Sequence, residues 1–224
     1  AETGLPTPGR WGGRSGGRSV KGRGIFVAGA EMDAGKTTIS LALLSHFGAR
    51  LPRKAGFLKP LGQKALQVEG NSVGEDAWLV QSALGLEGTL EEACPVSTGS
   101  GAARKALLGE GLGGLEQRIL NAYQKLRRRY DLVVVEGTGH PGVGGVFGLD
   151  NARVARLLRL PVLLVLDGGL GSTVDRYLLC SAPFALAQVP LLGVVVNRIL
   201  PAKMEQTRQL LEPWFARRGV PVLG

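Results

Sequence analysis

An apolar strand that runs directly into a glycine-bounded loop and then a helix limits this chain more than any other feature: Ile25-Phe-Val-Ala-Gly-Ala-Glu-Met-Asp-Ala-Gly-Lys-Thr-Thr38. Glycines let main-chain N–H groups close around phosphate oxygens, a lysine follows the outer phosphates, and the hydroxyl beside it can bind Mg²⁺. Lys36 and Thr37 hold those two positions, and Gly29, Asp33, Ala34, Gly35 and Thr38 complete the loop. The anion would lie at a helix N-terminus, where unpaired N–H groups and the macrodipole both favour negative charge. Five residues separate Gly29 from Gly35, one more than the ordinary phosphate loop has. The context compensates, because Ile39-Ser-Leu-Ala-Leu-Leu-Ser-His46 continues with helical apolar spacing. A glycine turn that binds nothing is the competing reading, and Gly-Lys-Thr-Thr set between strand and helix argues against it.

The same strand–helix grammar recurs along the chain. Lys54 to Pro60 reads as a short strand ending in Lys59, and Glu75 to Gly85 as a helix with an acidic first turn. A second amphipathic helix is expected from Leu115 to Tyr130, with Lys125, Arg127, Arg128 and Arg129 near its end. Asp131-Leu-Val-Val-Val-Glu-Gly137 is a buried strand that leads into the glycine-rich segment to Gly145. Helices are then expected over Asn151 to Leu158, Val174 to Ala187 and Ala202 to Arg218. Strands are expected over Leu160 to Leu166, Leu191 to Asn197 and Val220 to Leu223. Apolar strands alternating with helices of this length indicate an α/β chain with a mostly parallel central sheet covered on both faces.

Ligands of such sheets bind beyond the carboxyl ends of the strands, which would gather the phosphate loop, Lys59, Glu136, Asp167 and Asn197 on one edge. A Mg²⁺ that bridges phosphates takes one or two carboxylates and a loop hydroxyl, and Thr37, Asp76 and Glu136 are the candidates. Glu136 ends a wholly apolar strand and so needs a cation or a hydrogen-bond partner. Asp76 can equally be a residue that complements its helix dipole. Lys59 either snorkels to solvent or stabilises negative charge during phosphoryl transfer, and its place at a strand end favours the second. Asp167 reads as a water-bridged metal ligand or a turn former before Gly168, and His140 as a base or plain polar surface.

The 224 residues suffice for one α/β domain with a two-sided core. No apolar run approaches the roughly 20 residues that cross a bilayer, so no membrane partner is expected. Cys94 and Cys180 show neither a metal nor a redox spacing, which suits packing roles in a reducing, cytoplasmic setting. The formal net charge of +9 is partly terminal: residues 1–23 carry Arg10, Arg14, Arg18, Lys21 and Arg23 against Glu2 alone. That Gly-, Ser- and Pro-rich stretch is expected to be a disordered tail, and without interleaved aromatics it gives little ground for nucleic-acid binding.

Gly29 to Thr37, Phe57-Leu-Lys-Pro60, Glu75-Asp-Ala77, Val134-Val-Glu-Gly137, Pro161-Val-Leu-Leu-Val and Val195-Val-Asn-Arg198 follow the order seen in dethiobiotin synthetase, and residues 24–224 resemble that family throughout. The resemblance implies a three-layer P-loop NTPase fold and an ATP-dependent ligase. Such an enzyme forms a carbamate on a diamine, phosphorylates it with MgATP and closes a cyclic urea, which places it in biotin biosynthesis. It makes Lys36 and Lys59 the catalytic cations, Thr37, Asp76 and Glu136 the Mg²⁺ ligands, and Asn197 an adenine contact. A homodimer acting on a small-molecule substrate is expected.

Met32 stands where that family has threonine, Gln63 where it has a substrate-binding serine, and Glu136-Gly-Thr-Gly-His replaces Glu-Gly-Ala-Gly-Gly. Those departures resemble the synthetase-like domain of phosphotransacetylase-type proteins, so an ATP-binding regulatory domain without ligase activity is the alternative. The family also continues past Pro221-Val-Leu-Gly224 into a loop on the adenine side, and a missing C-terminal region is expected. A partition-type ATPase would carry its signature lysine at position 31, which is Glu31.

Overall fold

The computed structural model describes residues 23–51, 54–63, 65–68, 71–99 and 101–224. The expected tail therefore lies, but for Arg23, outside the described residues. β1 (Arg23–Gly29) leads into α1 (Lys36–Gly48), and β2 (Ala55–Leu58) follows. A peripheral stretch then holds β3 (Leu61–Gly62), β4 (Ala65–Val68), β5 (Asn71–Gly74), α2 (Glu75–Leu84), α3 (Leu90–Ala93), β6 (Val96–Ser97) and α4 (Ala102–Leu107). The second half alternates regularly through α5 (Leu115–Arg129), β7 (Leu132–Glu136), α6 (Asn151–Leu158), β8 (Val162–Asp167), α7 (Leu170–Leu186), β9 (Leu191–Asn197) and α8 (Met204–Ala216).

The main sheet runs β2-β7-β1-β8-β9 and every neighbouring pair is parallel. A parallel sheet needs both faces covered, and the alternation of side chains along each strand supplies two cores. Phe26, Ala28, Val133 and Val135 face the cluster that holds Ile119, Tyr123, Ala155 and Phe184, drawn from α5, α6 and α7. Val27, Val134 and Val165 face the opposite cluster with Leu44 of α1 and with Ala77 and Val80 of α2. The result is the expected three-layer α/β arrangement. β1 lies between β7 and β8, so the chain leaves it on one side and returns on the other. The crevice at such a reversal is where ligands of this architecture sit.

Several boundaries differ from the sequence expectations for local reasons. The expected strand Val220 to Leu223 reduces to one parallel bridge between Val194 and Val222, since Pro221 has no N–H to give to a ladder. α7 starts at Leu170 instead of Val174, helped by the Thr173 hydroxyl, which donates to Asp167 O at 2.7 Å. The helix expected from Ala202 opens as a 3₁₀ turn over Pro201–Lys203 before α8 begins. Both cysteines are buried and unpaired. Among the described residues no helix is long and apolar enough to cross a membrane.

Candidate functional site

The loop between β1 and α1 closes on its own lysine. Lys36 is almost fully buried, and its ammonium donates to Glu31 O and Met32 O, each at 2.8 Å. Gly29 makes this possible, because a Cβ there would stand 2.8 Å from Lys36 Cγ. Gly35 takes φ +97°, in the left-handed region that glycine enters at no steric cost, and so turns the chain into α1. The N–H groups of Lys36, Thr37 and Thr38 open the helix, where helix geometry provides no carbonyl partner. Burial pulls the Lys36 pKa down to about 8, and the nearby Lys59 cation adds to the fall. Thr37 is half-buried and Thr38 exposed, while Ala34 packs into the core beneath the loop.

Lys59 follows β2 and points across the sheet edge toward the end of β7. Its Nζ lies 2.8 Å from Glu136 Oε1, 2.8 Å from Asp76 Oδ2 and 3.2 Å from Gly137 O, one acceptor for each of its protons. Burial alone would lower the Lys59 pKa, but Glu136 and Asp76 outweigh it and hold the pKa above the ordinary lysine value. Glu136 has no solvent exposure, and its Oε1 also accepts from Thr37 Oγ1 at 3.0 Å. One carboxylate oxygen thus joins the phosphate loop to Lys59. The structure brings Lys36, Lys59, Thr37, Asp76 and Glu136 together around a cavity of about 140 Å³, whose wall also includes Met32, Asp33, Gln63, Thr138 and Gly139.

These residues fit a Mg²⁺ ion. Glu136 Oε2 is buried without a hydrogen-bond partner among the described residues, which is costly for a carboxylate unless a cation completes it. Thr37 Oγ1, hydrogen-bonded to the other oxygen of that carboxylate, and the half-exposed Asp76 carboxylate line the same cavity as further oxygen ligands. Among the described residues there is no cluster of three or more His, Cys, Asp or Glu side chains able to form a cage. An ion here would complete its shell with phosphate oxygens and water, as Mg²⁺ commonly does.

Asn197 ends β9 beside the loop, where its Nδ2 donates to Ala34 O at 3.0 Å. It adjoins Gly35 so closely that a Cβ on the glycine would collide with that amide. In this geometry its amide supports the loop. His140 and Asp167 stay out of the cavity wall. His140 is exposed and its Nδ1 accepts from Gly142 N at 3.2 Å, so it shapes a turn. Asp167 faces Arg198 Nη1 at 3.5 Å and Arg176 Nη1 at 4.0 Å, and Arg176 also reaches Glu31 Oε1 at 2.7 Å. Both Asp167 oxygens are buried without a hydrogen-bond partner among the described residues, and these longer ion pairs lie on the far side of the loop from Glu136.

Two further residues support the site: Asn151, which the sequence reading did not single out, and Thr138, which stands where the resembled family has alanine. Asn151 at the start of α6 exchanges hydrogen bonds with the Thr138 main chain, and the Thr138 hydroxyl donates to Leu61 O. Asp150-Asn151 reads in the sequence only as a helix start. The partner of Asn151 lies 13 residues upstream and is visible only after folding.

A family model described as an AAA domain (AAA_26) matches residues 23–224. The chain is 34% identical over 203 residues to the ATP-dependent dethiobiotin synthetase BioD of Aromatoleum aromaticum, covering 90% of this chain and 89% of that protein. It is 35% identical over 182 residues to the protein of the same name from Anaeromyxobacter dehalogenans, covering 80% and 78% of the two chains. Among solved structures, the MinC:MinD cell division protein complex of Aquifex aeolicus matches with a TM-score of 0.54 at 12% identity, over 90% of this chain and 80% of that one. That likeness is one of fold, and the fold is that of the P-loop NTPases. Family model, relatives and loop geometry agree, and the chain belongs to the dethiobiotin synthetase-like P-loop family.

Proposed function

We propose that the protein is a MgATP-dependent ligase of the dethiobiotin synthetase type, which phosphorylates a carbamate or carboxylate before ring closure or amide formation. The observation that carries this reading is the Thr37–Glu136–Lys59 connection, with Glu136 Oε2 left open beside the phosphate loop. The two curated relatives support it, since both are named ATP-dependent synthetases and align over most of their length. That agreement also weighs against the regulatory-domain alternative.

ATP phosphates would lie against the N–H groups of Gly35 to Thr38, with Lys36 exchanging its loop carbonyls for phosphate oxygens. A Mg²⁺ held by Thr37, Glu136 and Asp76 would supply neutralisation of phosphate charge. The acceptor oxygen attacks the γ-phosphorus and ADP leaves. An amine then attacks the resulting mixed anhydride and phosphate leaves. Lys59 stands beside the transferring group and stabilises the charge that develops there. Thr138, Gly139 and Gln63, which line the same cavity, would face the acceptor. A small-molecule substrate, a role in biotin biosynthesis, a homodimer and a cytoplasmic setting complete the reading, the last supported by two unpaired thiols.

Incubation with ATP, Mg²⁺, bicarbonate and 7,8-diaminopelargonate should release ADP and dethiobiotin. ADP release indifferent to the diamine removes the specific substrate, and calorimetry without any nucleotide affinity removes the whole reading.

A further inference from the structure

The segment after β7, whose Thr138 and Gly139 line the cavity, is held by a hydrogen-bond network that reaches beyond it. Asn151 is buried at 3% exposure, and its side chain behaves as a length of backbone. Oδ1 accepts from Thr138 N at 3.0 Å, and Nδ2 donates to Thr138 O at 3.1 Å and to His140 O at 3.0 Å. Those bonds use Nδ2–H twice and Oδ1 once, so the amide is committed to one segment of chain. Gly137 packs against the same amide, and a Cβ there would stand 2.8 Å from Asn151 Oδ1. From the other side, the buried Thr138 hydroxyl donates to Leu61 O, two residues beyond Lys59. Thr138 thus ties the segment that follows Glu136 to the segment that follows Lys59. Between these anchors lies Gly137 O, which accepts from Lys59 Nζ at 3.2 Å.

We propose that Asn151 and Thr138 are positioning residues that fix the Gly137–His140 turn and, through Gly137 O and the Leu61 strand, set the direction of the Lys59 ammonium in the phosphoryl site. The inference rests on the reading of that site as MgATP-binding. Helix α6 has supports besides Asn151. Asp150 caps α6 through Arg153 N at 2.9 Å, and the body of the helix packs through Val154, Ala155 and Leu158. What Asn151 adds is the shape of the turn. A lysine displaced by a fraction of an ångström loses transition-state stabilisation while ATP remains bound by the loop, so kcat is the parameter exposed to the clamp.

The variants are Asn151→Ala, Thr138→Val and Thr138→Ser, each read in three ways. Steady-state ADP release separates kcat from the KM for ATP, lysine ¹³Cε NMR follows the Lys59 signal without nucleotide, and thermal unfolding reports folding. Thr138→Val and Asn151→Ala are expected to lower kcat by about tenfold with KM for ATP within about twofold, and to move the Lys59 signal. Thr138→Ser, which keeps the hydroxyl, should restore both. An unmoved Lys59 signal in both disruptive variants overturns the proposal. So does a serine variant as impaired as the valine one, or a rise in KM with kcat intact. Should Asn151→Ala fail to fold, Thr138→Val decides alone. A wild-type protein that releases no ADP refutes the ligase reading, and the Lys59 signal then still decides the clamp.

Discussion

Nucleotide affinity is expected to weaken as pH rises through the titration of Lys36. Burial and the Lys59 cation place that pKa at about 8 in the ligand-free protein, so the ammonium is half discharged there. A triphosphate favours the charged form and raises the pKa, hence binding above this pH takes up a proton. One unit below the pKa about nine-tenths of the lysine is charged, and one unit above only about one-tenth. The dissociation constant therefore increases about tenfold across those two units, ~1.4 kcal/mol of binding free energy. Calorimetric titration with a non-hydrolysable ATP analogue and Mg²⁺, repeated in buffers of different ionisation enthalpy, measures both the affinity and the proton uptake. Lys36→Ala should bind more weakly, lose turnover and show no such pH dependence, because the titrating group is gone. A wild-type affinity that stays flat from about pH 7 to 9 without proton uptake would refute the electrostatic account of the loop.

Other substitutions separate roles within the cluster. Glu136→Gln leaves Lys59 buried beside a neutral amide and should cost about 3–5 kcal/mol in urea unfolding, with the Mg²⁺ dependence of nucleotide binding lost. Equal stability to the parent protein would contradict the buried pair. Asp76→Asn, whose side chain is 43% exposed, should cost less than about 1 kcal/mol yet weaken the Mg²⁺ response. Gly35→Ala forces a left-handed alanine against Asn197 Nδ2, so nucleotide binding should disappear in calorimetry while circular dichroism stays native.

The sheet was legible because its strands carry no polar interruption. Val133, Val134 and Val135 are wholly buried, and such runs indicate a strand covered on both faces. From parallel strands it followed that Lys59, Glu136 and Asn197 share one edge. Their pairings did not follow. Lys59 meets Glu136 across 77 residues and Thr37 meets Glu136 across 99, and no local spacing encodes contacts of that range. The peripheral stretch from Leu61 to Leu107 was read only in part, since two-residue strands such as β3 and β6 have no periodicity to detect. Asp167 was ambiguous for a related reason. Arg176 in α7 and Arg198 just past β9 come near it only after folding.

The two carboxylates around Lys59 are unequal partners, and the inequality suits a site that must change its contacts when a ligand enters. Glu136 is buried, and its Oε1 also holds Thr37, so exchanging it would strand a charge inside the protein. Asp76 meets water, and solvent compensates it when Lys59 departs. A phosphate arriving over the loop therefore competes for Lys59 with Asp76 before it competes with Glu136. The same exchange leaves the Asp76 oxygens available beside Thr37 and Glu136 Oε2, where a Mg²⁺ ion would need them. Helix α2 is well placed for such a residue, because Asp76 in its first turn retains the favourable helix dipole whichever cation it faces.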